Sequence, residues 1–319
     1  MTTGDTNPAG RADPTRNRTP AGGGTASRPL NRTQVHDLLD RHDLAPSRAL
    51  GQNFLCDPGT VDRIVRLAGV EPGDRVVEIG AGLGTLTRGL AAAGARVVAI
   101  EVDRYLLPAL AETVHGLDVV VLAGDAREVD WSEVLDSFPA APEPGAGPVG
   151  ADRPWSVVAN LPYNLATPLI LDLLRDQPAL DRWLVMVQRE AGERLAAGPG
   201  SRTYGIPSVL ASYWADVRLV GSGVRPELFL PRPKVASVLV ELRRHHRRPP
   251  EGYAAVAELV RAGFGQRRKM VRRSLAGLLD VAAIEAAGVK PTARAEQLDL
   301  DAWVRLAAVA RPSPEEPTG

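Results

Sequence analysis

Cysteine is nearly absent from this 319-residue chain. Cys56 stands alone, which excludes an internal disulfide and a thiolate metal cluster and suits a reducing compartment. With no His or second Cys at ligand spacing beside it, it reads as a small buried residue, and no metal is expected. Long apolar runs are missing too: no stretch reaches the roughly eighteen residues that a membrane-spanning helix needs. The first residues lack the basic-then-apolar order of a secretory signal, so a cytoplasmic protein without membrane attachment is expected. Net charge is zero, 38 basic residues against 38 acidic, and this zero hides a segregation. Residues 51–224 hold 14 Lys+Arg against 22 Asp+Glu, whereas residues 225–290 hold 14 against 6. Such asymmetry predicts a nucleic-acid face confined to one part of the molecule. Lysine is scarce, 3 against 35 Arg, so part of any Arg cluster is compositional.

What is present points to chemistry on a nucleobase. An apolar strand at 155–159 ends in Asn160-Leu161-Pro162-Tyr163. An exocyclic amine such as adenine N6 has its lone pair delocalised into the ring, so a catalyst must accept hydrogen bonds from its N–H groups. The Asn160 side-chain oxygen and the Leu161 carbonyl supply acceptors. Pro162 has no N–H and fixes φ, leaving a rigid turn that presents Tyr163 as a stacking platform for a base out of its stack. An ordinary Asn-x-Pro turn is the plain alternative.

Upstream, Val76-Val77-Glu78-Ile79 reads as a buried parallel strand and Gly80-Ala81-Gly82-Leu83-Gly84-Thr85 as the turn opening a helix. The spacing is G-x-G-x-G, not the dinucleotide G-x-G-x-x-G, and no Gly-Lys-Ser/Thr follows, which favours a ligand without a pyrophosphate. A strand at 96–100 delivers Glu101, placed to bind ribose hydroxyls. A third, at 118–122, leads to Asp125, placed to accept from an adenine amine. S-adenosylmethionine offers both groups together with a sulfonium methyl. Solvated loop carboxylates are the alternative for Glu101 and Asp125.

With these residues in view, the chain resembles the ribosomal RNA adenine-N6 dimethyltransferase family, and within it the bacterial small-subunit type. The likeness runs from Gly51-Gln52-Asn53-Phe54-Leu55 through the glycine turn, 160–164, Met186-Val187-Gln188-Arg189-Glu190 and Phe229-Leu230-Pro231-Arg232-Pro233-Lys234-Val235 to Phe264-Gly265-Gln266-Arg267-Arg268-Lys269. Leu50 departs from the Phe expected before Gly51. The resemblance implies an α/β fold, a Rossmann-like class I S-adenosylmethionine-dependent methyltransferase sheet with a small C-terminal all-helical domain. It implies S-adenosylmethionine as donor and two adjacent adenosines near the 3′ end of small-subunit rRNA, in a pre-30S particle, as target. It also implies that Asn53, Leu55, Gly80, Glu101, Asp125 and Asn160 line the donor site. Phe229 is a candidate for the second face of the flipped adenine, with a core anchor as the equal alternative. A monomer is expected. The alternatives are a large-subunit adenine methyltransferase of the macrolide-resistance type, and an RNA-binding assembly factor without turnover.

Along the chain, a disordered tail is expected at 1–30, the methyltransferase domain at 31–243, a helical RNA-binding domain at 244–312 and a short disordered tail at 313–319. The Pro- and Gly-rich 139–153 stretch reads as a surface loop. A helix at 267–279 should carry Arg267, Arg268, Lys269, Arg272 and Arg273 towards RNA, with an apolar stripe from Met270, Val271, Leu275 and Leu278 facing the core. His245 and His246 read as solvated linker residues.

Overall fold

A computed structural model describes residues 28–47, 49–138, 154–163, 165–245, 247 and 252–310. Residues 1–27 of the tail expected at 1–30, the tail expected at 313–319, the 139–153 loop, His246 and residues 248–251 lie outside the described residues, whereas Leu30 is described and buried. Asn31 opens α1 (Arg32–Arg41) with a reciprocal cap: its side chain accepts from the Gln34 N–H while the Gln34 side chain accepts from the Asn31 N–H. There follow β1 (Phe54–Leu55), α2 (Pro58–Ala68), β2 (Arg75–Ile79), α3 (Thr85–Ala92), β3 (Arg96–Glu101), α4 (Leu107–Thr113), β4 (Val119–Ala123) and α5 (Trp131–Asp136). The chain continues through β5 (Trp155–Asn160), α6 (Ala166–Asp176), β6 (Leu180–Gln188), α7 (Arg189–Leu195), α8 (Ile206–Trp214), β7 (Ala215–Val224), β8 (Phe229–Leu230) and β9 (Ser237–Arg244). Four helices close it: α9 (Tyr253–Gly265), α10 (Val271–Ser274), α11 (Val281–Ala286) and α12 (Leu300–Val309).

The seven-stranded sheet has the order β4-β3-β2-β5-β6-β9-β7. The pairs from β4 to β6 are parallel, and β9 runs antiparallel to both β6 and β7, so the sheet is mixed as expected. Strands buried on both faces need apolar residues at every position, and the two faces of β2 and β3 enter different cores. Val77, Ile79, Val98 and Ile100 pack with α6 and α8, while Val76, Val97 and Ala99 pack with α2 and α3. After β2 the chain steps to β3 and β4 on one side, then crosses to β5 on the other. The carboxyl ends of β2 and β5 therefore flank a topological switch point, where open α/β sheets bind ligands.

The segment between β7 and β9 does not simply turn. Its β8 pairs antiparallel with β1, Phe54 opposite Leu230 and Leu55 opposite Phe229, and the Cys56 N–H adds a bond to the Leu228 carbonyl at 2.8 Å. The 46–55 strap is thus held by chain from the far end of the sheet.

Several elements differ from expectation for local reasons. α4 starts only at Leu107, because the Asp103 side chain takes the Tyr105 N–H in a turn ahead of Pro108. The short helices α5 and α7 are additions to the expected set. β9 runs through Arg244, one residue into the expected helical domain. The basic helix at 267–279 is not continuous. Met270 is extended and bridges Arg294, the Val271 N–H goes to the Ala293 carbonyl at 2.7 Å, and only Val271–Ser274 is α-helical. Pairing with the later strand-like segment outcompetes helix propagation there.

The C-terminal helices share the core on the α6/α8 face of the sheet. Tyr213, Trp214 and Tyr253 form a ring cluster with centroids 5.0–5.4 Å apart, and the buried Tyr204 hydroxyl donates to the Leu298 carbonyl at 2.9 Å. No helix among the described residues is long and apolar enough to cross a membrane. Gly263 lets α9 and α12 meet: a Cβ there would lie 2.5 Å from the Trp303 ring, which is fully buried. Gly263→Ala is therefore expected to lower stability by about 1–3 kcal/mol through overpacking, read from urea denaturation. An unchanged or raised midpoint would refute this packing account.

Candidate active site

A cavity of about 730 Å³, including its open mouth, lies at the switch point between β2 and β5. Its lining brings together Asn53, Leu55, Gly80, Glu101, Asn160, Leu161, Pro162 and Tyr163 from the sequence-derived set.

The floor is the glycine turn. Gly80 has φ +75 and Gly82 φ +59, a region costly for residues with a Cβ. The Gly80 N–H continues the β3 ladder to the Ile100 carbonyl at 2.8 Å, and a Cβ on Gly80 would lie 3.8 Å from the Asn160 carbonyl. The turn after β2 and the motif after β5 are thus in direct contact. Glu101, at the end of β3 and almost fully buried, accepts the Gly82 N–H at 2.7 Å and the Asp103 N–H at 2.9 Å. Burial raises its pKa, and these two N–H groups partly counter that. They also fix the carboxyl in the cavity wall.

Asn160 is oriented by the strap. Its Nδ2 donates to the Asn53 carbonyl at 3.1 Å, which leaves Oδ1 as an acceptor for another group. Leu161 is packed into the core, with its N–H on the Met186 carbonyl at 3.1 Å. Tyr163 is half-buried and its hydroxyl meets Ser237 Oγ at 2.9 Å, so the ring is tethered to β9. Burial raises the phenol pKa. Gln52 ties the strap to the β3 side by donating to Asp103 Oδ2 at 2.7 Å.

Two expected site residues lie outside the cavity lining. Phe229 is fully buried, because β8 places it opposite Leu55 in the core beneath the cavity, so here it is an anchor and not a stacking face. Asp125 is held by its own neighbour: Arg127 reaches it through the backbone N–H at 2.9 Å and through the guanidinium. That hydrogen-bonded pair keeps the Asp125 pKa below its ordinary value. Among the basic residues, Arg267 is engaged by Glu296 at 2.7 Å and by the Arg202 carbonyl at 2.9 Å. Arg268, Lys269, Arg272 and Arg273 are exposed.

The lining also includes residues that motif reading passed over: Gln52, Thr85, Val102, Leu106 and, above all, Glu78. A carboxyl within an otherwise apolar buried strand is expensive, and that cost was its signal in the sequence. Among the described residues, Glu78 and Glu101 are the only Asp, Glu, Lys, Arg or His side chains of the lining. Such a lining repels phosphates and suits a cationic ligand, which agrees with the absence of nucleotide-binding motifs.

A sequence model of the family described as ribosomal RNA adenine dimethylase matches residues 46–311. The ribosomal RNA small subunit methyltransferase A of Leifsonia xyli subsp. xyli is 46% identical over 286 residues, covering 88% of this chain and 98% of that protein. Its counterpart in Nocardia farcinica is 43% identical over 290 residues, 88% and 95% of the two chains. Among solved structures, a dimethyladenosine transferase from Plasmodium falciparum shares the fold with a TM-score of 0.64 at 23% identity, covering 79% of this chain and 95% of that one. The 23S rRNA methyltransferase ErmE gives 0.59 at 26% identity, with 81% and 99% covered.

Replacing Glu101 with Ala removes a cavity-wall acceptor and leaves two N–H groups without their partner. Titration calorimetry with S-adenosylmethionine, the ligand expected from the sequence, should show affinity reduced about tenfold or more, with circular dichroism unchanged. Wild-type affinity in a folded variant would remove Glu101 from the binding role.

Proposed function

The chain belongs to the ribosomal RNA adenine dimethylase family, and we propose that its switch-point cavity holds S-adenosylmethionine and directs methyl transfer to adenine N6. The reaction we infer is dimethylation of adenosines in 16S rRNA: the family description supplies adenine dimethylation, and relatives at 38–46% identity are named as methyltransferases of small-subunit rRNA. The observation that carries the residue-level reading is Asn160. Its Nδ2 is committed to the Asn53 carbonyl, so its Oδ1 is available to accept from an amine, in the same cavity that carries the two carboxylates.

Bound S-adenosylmethionine supplies a methyl on sulfonium, already activated by a good leaving group. The protein's part is to position. Asn160 Oδ1 and the Leu161 carbonyl accept from the amine and stabilise the positive charge that grows on its nitrogen. Tyr163, tethered through Ser237, stacks on the base. Pro162 keeps the turn rigid and adds no competing N–H. Holding amine and methyl in line supplies up to roughly 7–11 kcal/mol of the barrier reduction. The amine proton leaves to water. A second transfer to the same nitrogen meets an amine with one N–H, so one of the two acceptors is then unused. Glu101 holds the ribose hydroxyls. Asp125 approaches the donor adenine only if Arg127 releases it, since its two oxygens are now engaged.

The target we propose is rRNA within a pre-30S particle, bound by a monomer. The large-subunit alternative is not favoured, because the relatives from Leifsonia and Nocardia are small-subunit enzymes.

Asn160→Ala should lose methyl transfer by about 10²-fold or more while rRNA affinity is nearly kept, because phosphate contacts dominate binding. Single-turnover transfer and filter binding on the same variant decide it, and a collapse of affinity with unchanged chemistry would reverse the assignment. For the RNA face, Arg268, Lys269 and Arg272 are the cations to neutralise. Their joint replacement by Ala is expected to lower the slope of log K against log salt by about 0.7–0.9 for every phosphate that is no longer neutralised. An unaltered slope would move the RNA surface to Arg225, Arg232 and Lys234.

A further inference from the structure

Glu78 has no assigned part in the site described so far, yet it is its most costly residue. It lies on β2 with only 1% of its surface exposed, and it lines the cavity. Its Oε2 has no hydrogen-bond partner of good geometry among the described residues, and neither has the hydroxyl of Thr85, which lines the same cavity at the start of α3. Two such buried oxygens at one cavity mark a polar site that is incomplete as it stands, since buried polar groups are otherwise paired. The chemistry of the lining says what would complete it. Of the two carboxyls there, Glu101 already accepts two N–H groups, and no Lys, Arg or His among the described lining residues offers Glu78 a counter-charge.

We propose that Glu78 is the carboxyl that receives a cationic group of the methyl donor, and that donor binding and loss of the Glu78 proton are one event. This rests on the reading of S-adenosylmethionine as donor. Burial, together with the nearby Glu101 carboxyl, pushes the Glu78 pKa up to about 8, with the Thr87 hydroxyl countering only part of that. The group is therefore mostly neutral at pH 7 in the empty cavity. Around it, β3 presents Glu101 and the turn after β5 presents Tyr163, whose phenol is raised by burial. The start of α3 presents only hydroxyls to the cavity, and the strap presents Gln52 and Asn53. Arg88 of α3 is committed elsewhere, to the Arg28 and Thr113 carbonyls. A cation entering the cavity lowers the Glu78 pKa, and the carboxyl passes its proton to solvent while the ion pair forms.

The sign follows. Below about pH 8 the empty protein carries the extra proton and the complex does not, so affinity rises with pH and levels off above that value. Between about pH 6 and 7.5, where the donor ammonium stays charged, the affinity of wild-type protein for S-adenosylmethionine should rise by up to about tenfold per pH unit. Calorimetry at pH 7 in two buffers of contrasting ionisation heat should register the release of about one proton. Glu78→Gln should bind more weakly, with no proton released and no pH slope. S-adenosylhomocysteine keeps the ammonium but not the sulfonium, and 5′-methylthioadenosine has neither. Proton release with the first identifies the ammonium as the partner of Glu78, its absence identifies the sulfonium, and release with the second contradicts the proposal. A pH-independent affinity in wild type, or proton release that persists in Glu78→Gln, also overturns it. Should that variant not fold, difference infrared spectroscopy of wild type serves instead: the protonated-carboxyl band must diminish on donor binding, and an unchanged band refutes the assignment. Wild type that binds no S-adenosylmethionine at all would sink the donor reading itself, whereas pH-flat binding sinks only this inference.

Discussion

β2 runs parallel to β3 on one side and to β5 on the other, and the site exists because of that arrangement. Parallel neighbours end at the same edge of a sheet, so the residues that follow three separate strands arrive at one place. The glycine turn follows β2, Glu101 closes β3, and Asn160 closes β5. Left-handed glycines then allow the turn to fold back under the Asn160 carbonyl, and one hydrogen bond from Gly82 to Glu101 joins the first two arrivals. The strap lays Asn53 across the third.

The parts of this that could be read in the sequence are those where one physical demand acts alone. Strands buried on both faces must be apolar throughout, so β2, β3, β5 and β6 stood out, and glycine is the residue that tolerates the turn after β2. Asn160, Leu161, Pro162 and Tyr163 follow a strand end directly and needed no distant partner to be located. Where partners from far along the chain decide, reading failed. For Phe229 the sequence leaves a stacking aromatic and a core anchor open alike, and it is the pairing of β8 with β1 that favours the anchor. Asp125 is a local case: Arg127, two residues on, holds its carboxylate outside the cavity lining. The 267–279 segment has helical periodicity, but the bridge from Met270 to Arg294 interrupts it, a contact between residues that local patterning cannot connect. The short α5 and α7 are too brief to establish a period of their own.

The helical C-terminal part is less separate than its composition suggests. Its apolar residues merge with those under the sheet, and the Gly198–Ser201 turn is tied to it by the Gly200 N–H on the Glu296 carbonyl at 2.7 Å. Arg267 spends its charge on Glu296 in the same region. Part of the basic excess of residues 225–290 therefore holds the molecule together, and only the remainder faces outward. Charge counted along a sequence overstates the charge offered to a partner whenever acids from elsewhere fold against it.

The pairing of β1 with β8 makes the roof of the cavity a shared part. Residues 50–55 wall one side of the ligand space, and their last two are laced to a segment over 170 positions later in the chain. A strap joined in this way does not lift on its own. Lifting it either breaks its ladder or draws Phe229 out of the core. The wall of the cavity and the core beneath it are thus coupled mechanically through a ladder of two residues.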